Sequence, residues 1–143
     1  MSVRRQVLGD AHVDRAIAAT TEFTEPFQDL ITRYAWGDIW ARPGLDRRTR
    51  SCITLAVLTA MRCDDEIEMH VRAAIANGVT AKEIQEVLLH ATIYAGVPAG
   101  NLAFSIAQRT LAEAGIAEAQ DRGDQDRGDQ DRGGGTAEDP GGS

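Results

Sequence analysis

The feature that most constrains this chain is a pair of adjoining segments between residues 46 and 78. The first, 52–61, is apolar except for Thr54 and Thr59. The second is amphipathic, with Ile67, Val71, Ala74 and Ile75 on one helical stripe, and it stops at Asn77-Gly78. A helix apolar on all sides needs cover on all sides. The chain must therefore wrap helices around 52–61, and the titratable residues of the second segment, Glu66 and His70, lie beside that buried element.

The flanking sequence supplies helices of the right kind. Asp10 is a good N-cap for a helix over 11–19, and Thr24 for a second one with Pro26 in its first turn. In that second helix Phe27, Leu30, Ile31 and Tyr34 form an i, i+3, i+4, i+7 stripe, which predicts a buried face. Asp46 caps the apolar helix. Thr80 and Glu83 form a capping box that opens the next helix, which carries Ile84, Val87, Leu88, Ala91 and Ala95 inward. A last helix is predicted over 99–114. No strand pattern emerges, so the expected fold is an all-α bundle of about six helices. With few aromatics and an all-apolar helix to cover, the thin core predicts a homo-oligomer.

The domain is expected to span 1–120. From Asp121 the sequence repeats DRGDQ and ends without any Leu, Ile, Val or aromatic residue, which predicts a disordered acidic, Gly-rich tail over 121–143. That tail holds seven Asp/Glu against three Arg, more than half of the formal net charge of −7. It also contains Arg-Gly-Asp twice, which we read as part of a solvated low-complexity segment. No basic stripe points to nucleic acid. The N-terminus has no apolar signal-peptide core, and the longest apolar run is about half a membrane span. The expectation is a soluble, cytoplasmic protein. Cys52 and Cys63, 11 residues apart, would lie roughly 16 Å apart on one helix, beyond disulfide reach.

Four groups of residues are candidates for chemistry. Glu66 and His70, at i and i+4, can meet on one helix face, and the carboxylate is expected to raise the imidazole pKa above about 6.5. Spacing alone equally allows an ordinary surface pair. Trp36 and Trp40, beside Arg42 and a Pro-Gly turn, either line a pocket or anchor the core. Arg42, Arg47, Arg48 and Arg50 stand at the mouth of the apolar helix; for Arg47 and Arg48 a solvated helix start is the simpler reading, whereas Arg50 must snorkel or find an anion. His90 and Tyr94 share a face of the later helix. Asp64, Glu66 and His70 have no second histidine at ligand spacing, so no metal site is expected. The acidic residues after Cys63 disfavour a thiolate there.

Three stretches carry a resemblance to a known family: WGDIWARPGLDRRTRS over 36–51, MHVRAAIANGVT over 69–80, and EVLLHATIYAGVPAGN over 86–101. In these the chain resembles the carboxymuconolactone decarboxylase family, within the alkylhydroperoxidase D-like superfamily. Thiol-peroxidase members of that superfamily carry Cys-x-x-Cys-x-x-x-His with an upstream glutamate. Here Cys63 and His70 match, but Glu66 stands at the second cysteine position and Ser51 at the glutamate position. A dithiol cycle is not available without the resolving cysteine.

The resemblance implies an all-α subunit, commonly hexameric, and cofactor-free conversion of 4-carboxymuconolactone to 3-oxoadipate enol-lactone and CO₂ in protocatechuate breakdown. On that footing His70 is expected to be the general acid that reprotonates the product, oriented by Glu66. Arg50 or Arg42 is expected to anchor a substrate carboxylate. Trp36, Trp40 and Tyr94 would form an apolar wall, and His90 and Tyr94 would donate to the lactone carbonyl. Two other classes remain as alternatives: a thiol-dependent peroxidase using Cys63 alone, and a non-catalytic helical oligomerisation module.

Overall fold

The computed structural model of the chain describes residues 1–116, and over these it is all-helical, with no strand. Seven α-helices follow one another: α1 (Ser2–Leu8), α2 (Asp10–Ala18), α3 (Glu25–Ile31), α4 (Arg47–Met61), α5 (Asp64–Ala76), α6 (Ala81–Ala95) and α7 (Val97–Glu113). Between α3 and α4 the chain continues as a π-helical segment, Thr32–Ile39. The domain end expected at 120 and the tail expected over 121–143 lie outside the described residues.

The main core is built by α4 to α7. Leu55 of α4, Ile67, Val71 and Ala74 of α5, Ile84 and Leu88 of α6, and Ala103, Ile106, Ala107 and Leu111 of α7 form one buried cluster, with Val79 from the α5–α6 turn. Each fully buried Leu or Ile contributes about 1.5–3 kcal/mol. Local signals place the ends. The Asp46 carboxylate accepts from the Thr49 N–H at 2.7 Å, and the Thr80–Glu83 capping box is complete. Arg48 donates to the Gly78 carbonyl at 3.1 Å and pairs with Glu83, tying the start of α4 to the α5–α6 turn. Beneath it, the Asn77 amide donates to the buried Ser51 hydroxyl at 3.0 Å.

Helices α6 and α7 approach closely because Gly100 has no Cβ. One built there would stand 2.7 Å from Thr92 Cγ2 and overlap Thr92 Oγ1. The Thr92 side chain cannot turn away freely, since its hydroxyl donates to the Leu88 carbonyl at 2.7 Å. Gly100→Ala should therefore cost about 1–3 kcal/mol by overpacking and lower the thermal midpoint. Adding Thr92→Ala should restore most of the loss. An unchanged midpoint in the single variant would show that the two helices can part without penalty.

Several expectations are corrected. The α3 stripe is not buried within the chain: Phe27, Leu30 and Tyr34 are 60%, 52% and 65% exposed. Only Ile31, of the four, is partly covered. The reason is topological, because α3 packs chiefly on the π-helical segment that continues it. The apolar helix α4 is likewise buried on one side only; Leu55 is sealed, whereas Ile53, Val57 and Met61 face outward. At the termini, Gly9 with φ 84° caps α2 and Asp10 is its first residue. The Thr24 side chain turns back to Thr21 and makes no cap bond to α3. Gly96, with φ 91°, makes the whole α6–α7 turn, so α7 begins at Val97 with Pro98 in its first turn.

Candidate active site

His70 sits in the middle of α5 and is half-buried. One turn further along, Ala73 packs with Val7 of α1 and Trp36 of the π-helical segment in a small cluster separate from the main core. His70 and Glu66 are thus one and two turns before Ala73, on the flank of α5 that faces α1. The Trp40 N–H donates to the Ala35 carbonyl at 2.9 Å, an i to i−5 bond that marks the π turn, and the two tryptophans, four residues apart, fall on the same side of the helix. Trp36 is 8% exposed and stacks on Trp40, with ring centroids 5.3 Å apart.

The electrostatics of His70 reverse the expectation. Burial lowers its pKa below the ordinary 6.5; the Glu66 charge pulls upward without prevailing, and His12 adds to the lowering. His12, from α2, is also depressed, first by burial and then by Arg15 and Arg4, with Glu66 opposing. Helical spacing puts Glu66 within electrostatic reach of His70, but among the described residues no hydrogen bond or ion pair joins the two, and spacing carries no information on desolvation, which is the larger effect here. Through His12 these couplings link Arg4, Glu66 and His70 into one neighbourhood, although Arg4 does not itself act on His70. A groove of about 410 Å³ opens beside it, between the α1–α2 junction and α5, with His12, Arg15, Asp65, Met69 and Arg72 among its walls.

His12 and Arg4 were not legible as site residues. His12 reads as a surface or packing residue in a first helical turn. The one available signal for Arg4 was a charge on the apolar side of α1, three residues before Val7.

Other expected site residues are placed elsewhere. Arg50 is spent on backbone: its Nε donates to the Leu45 carbonyl at 3.2 Å and its Nη2 to that of Arg42 at 3.1 Å, closing the loop before α4. Arg42 is exposed, with its guanidinium 3.7 Å from the Asp38 carboxylate. His90 and Tyr94 do share a face of α6, with rings 5.2 Å apart, but Tyr94 is 79% exposed and α6 packs on α4 and α7. Among the described residues no hydrogen bond, ion pair or ring contact joins either of them to His70. Cys63 is the N-cap of α5 and a free, half-buried thiol, as is Cys52 within α4. Among the described residues no cluster of three His, Cys, Asp or Glu side chains could hold a metal ion.

The comparisons with known proteins bear on this arrangement. Residues 25–109 match the model of the carboxymuconolactone decarboxylase family. Over 115 residues the chain is 47% identical to 4-carboxymuconolactone decarboxylase of Acinetobacter baylyi, covering 80% of this chain and 86% of that protein. Over 111 residues it is 45% identical to nitrosuccinic acid decarboxylase of Metarhizium robertsii, covering 78% of each. A stretch of 38 residues is 58% identical to 4-carboxymuconolactone decarboxylase of Pseudomonas putida, covering 27% of this chain and 79% of that one. The chain belongs to the carboxymuconolactone decarboxylase family.

Proposed function

We propose that this chain decarboxylates 4-carboxymuconolactone to 3-oxoadipate enol-lactone and CO₂, a step of protocatechuate catabolism in the β-ketoadipate pathway. The observation that carries the reading is the near-full-length likeness to the Acinetobacter enzyme. The reaction breaks one C–C bond and replaces CO₂ with a proton. The electron pair left behind passes into the unsaturated lactone as an extended enolate, so the substrate is its own electron sink and the protein needs no cofactor for that purpose. The protein's tasks are to hold the remaining carboxylate, stabilise the enolate oxygen and return a proton to carbon.

His70 is the proton donor in this reading, with Glu66 orienting it and the Trp36–Trp40 stack excluding water. Burial lowers the His70 pKa and so favours the neutral imidazole in the free protein. A dianionic substrate beside it favours the imidazolium, so binding draws in the proton that the reaction then delivers. The relative that acts on nitrosuccinic acid supports the same logic. That substrate is also a dicarboxylic acid with a strong electron acceptor.

A cytoplasmic location is part of the same reading, and a hexamer is what the family resemblance implies. The reading includes a homo-oligomer, since two apolar faces stand uncovered in one chain. One is Phe23, Phe27, Leu30 and Tyr34 around α3; the other is Leu89, Ile93, Tyr94 and Val97 at the α6–α7 end. The second face carries His90 and Tyr94, which would complete a site only in a neighbouring subunit. No described helix is long and apolar enough to cross a membrane. The direct test is absorbance with freshly generated 4-carboxymuconolactone. Saturable loss of the lactone with matching CO₂ release is expected, and no turnover by the folded protein would refute the reading.

A further inference from the structure

Arg4 is the most deeply buried charge in the described chain. The residue is 5% exposed, and among the described residues it has no carboxylate within ion-pair distance. Its Nη1 donates to two neutral oxygens, Gln28 Oε1 at 3.2 Å and Thr32 Oγ1 at 3.3 Å. Its Nε is sealed from solvent with no acceptor. Nη2 also has no hydrogen bond among the described residues, but unlike Nε it is not sealed from solvent. The satisfied nitrogen is therefore the one remote from the Nε–Nη2 edge, and that edge is the fork that takes a carboxylate through two parallel hydrogen bonds. An unpaired buried cation is costly unless something supplies the anion.

The position of Arg4 says which anion. Val7, three residues on in α1, packs with Trp36 and Ala73, and Thr32 lies four residues before Trp36. Arg4 and His70 thus flank the same small cluster, one from α1 and the other from α5. We infer that Arg4 binds, through its Nε–Nη2 edge, the substrate carboxylate that is retained through decarboxylation. This rests on the functional reading above and moves the anchoring role from Arg50 and Arg42, whose hydrogen bonds serve the loop, to the N-terminal helix. The charge of Arg4 also reaches His12, which lines the adjoining groove.

The test uses the full chain and two readouts. Arg4→Gln should raise KM for 4-carboxymuconolactone about 10–100-fold, the loss expected for a charged hydrogen-bonded pair, with kcat changed less than about threefold. Arg4→Lys, which keeps the charge but not the fork, should fall between. Independently of turnover, succinate should quench or shift the Trp36–Trp40 fluorescence saturably in the wild type and not in Arg4→Gln. Unchanged KM and unchanged succinate binding in the folded glutamine variant overturn the inference. So does a glutamine variant that dissociates while Arg4→Lys keeps both assembly and wild-type KM, because the anion is then a carboxylate of a neighbouring chain. If the wild type fails to turn over the lactone, the functional reading fails, and succinate binding still decides the role of Arg4.

Discussion

His70→Ala is expected to reduce turnover of 4-carboxymuconolactone by about 10²–10⁴-fold, the usual worth of a positioned general acid, with helical content and sedimentation unchanged. His70 is half-buried and belongs to no core cluster, so its truncation removes little packing. Full turnover in the alanine variant would remove the residue from the mechanism. The pH profile gives a sharper check. A general acid works in its protonated form, so the rate must fall as pH rises through its pKa. In the free enzyme burial lowers that pKa below 6.5, and kcat/KM should therefore decline through a midpoint below that value. In the complex the substrate's carboxylates favour the imidazolium, so the same limb in kcat should lie at higher pH. His70→Gln should abolish both limbs.

The same depression has a consequence for stability, of opposite sense. The unfolded chain, with an ordinary histidine, binds a proton more readily than the folded one. Between the two pKa values the unfolded state holds more protons, so stability rises with pH there. The contribution is complete above about 6.5 and is lost as pH falls through the depressed values of His70 and His12. The protein thus becomes less stable in the direction in which free His70 becomes a better acid. Thermal midpoints should fall on acidification below neutrality, and less steeply in a His12→Gln, His70→Gln double variant.

Local signals in the sequence were enough to place most helices but not the site. Asp46, the Thr80–Glu83 box and Asn77-Gly78 each act over one turn of chain, so their meaning survives without knowledge of neighbours. The nearness of Glu66 to His70 is also a one-turn relation, and the charge of Glu66 does reach His70, without a hydrogen bond or ion pair among the described residues. What lay hidden depends on contacts between distant segments. The pKa direction at His70 is set by what covers it. The importance of Arg4 comes from Gln28 and Thr32, some two dozen residues away. Arg50, conspicuous at the mouth of an apolar helix, turned out to need only two backbone carbonyls. The stripe on α3 was read correctly as apolar and wrongly as buried, because periodicity identifies the face and says nothing about which molecule covers it.

That stripe yields the second large effect. Phe27→Asp should separate the proposed homo-oligomer into smaller species in sedimentation, while circular dichroism of the subunit stays close to wild type. Phe27 is 60% exposed in the single chain, beside Phe23, Leu30 and Tyr34, so its own subunit loses little when it is replaced. In an interface core the same change removes an aromatic anchor and buries an unpaired charge. Together these cost at least about 2–4 kcal/mol, or roughly 30-fold to 1,000-fold in association. A variant that sediments as wild type would show that the α3 face is not an interface, and a wild type that is already monomeric would remove the oligomer from the functional reading. Kinetics then separate assembly from chemistry. If subunits complete one another's sites through the face bearing His90 and Tyr94, the specific activity of Phe27→Asp should rise with protein concentration as the assembly re-forms. If each chain is self-sufficient, the dissociated variant should keep wild-type kcat at every concentration.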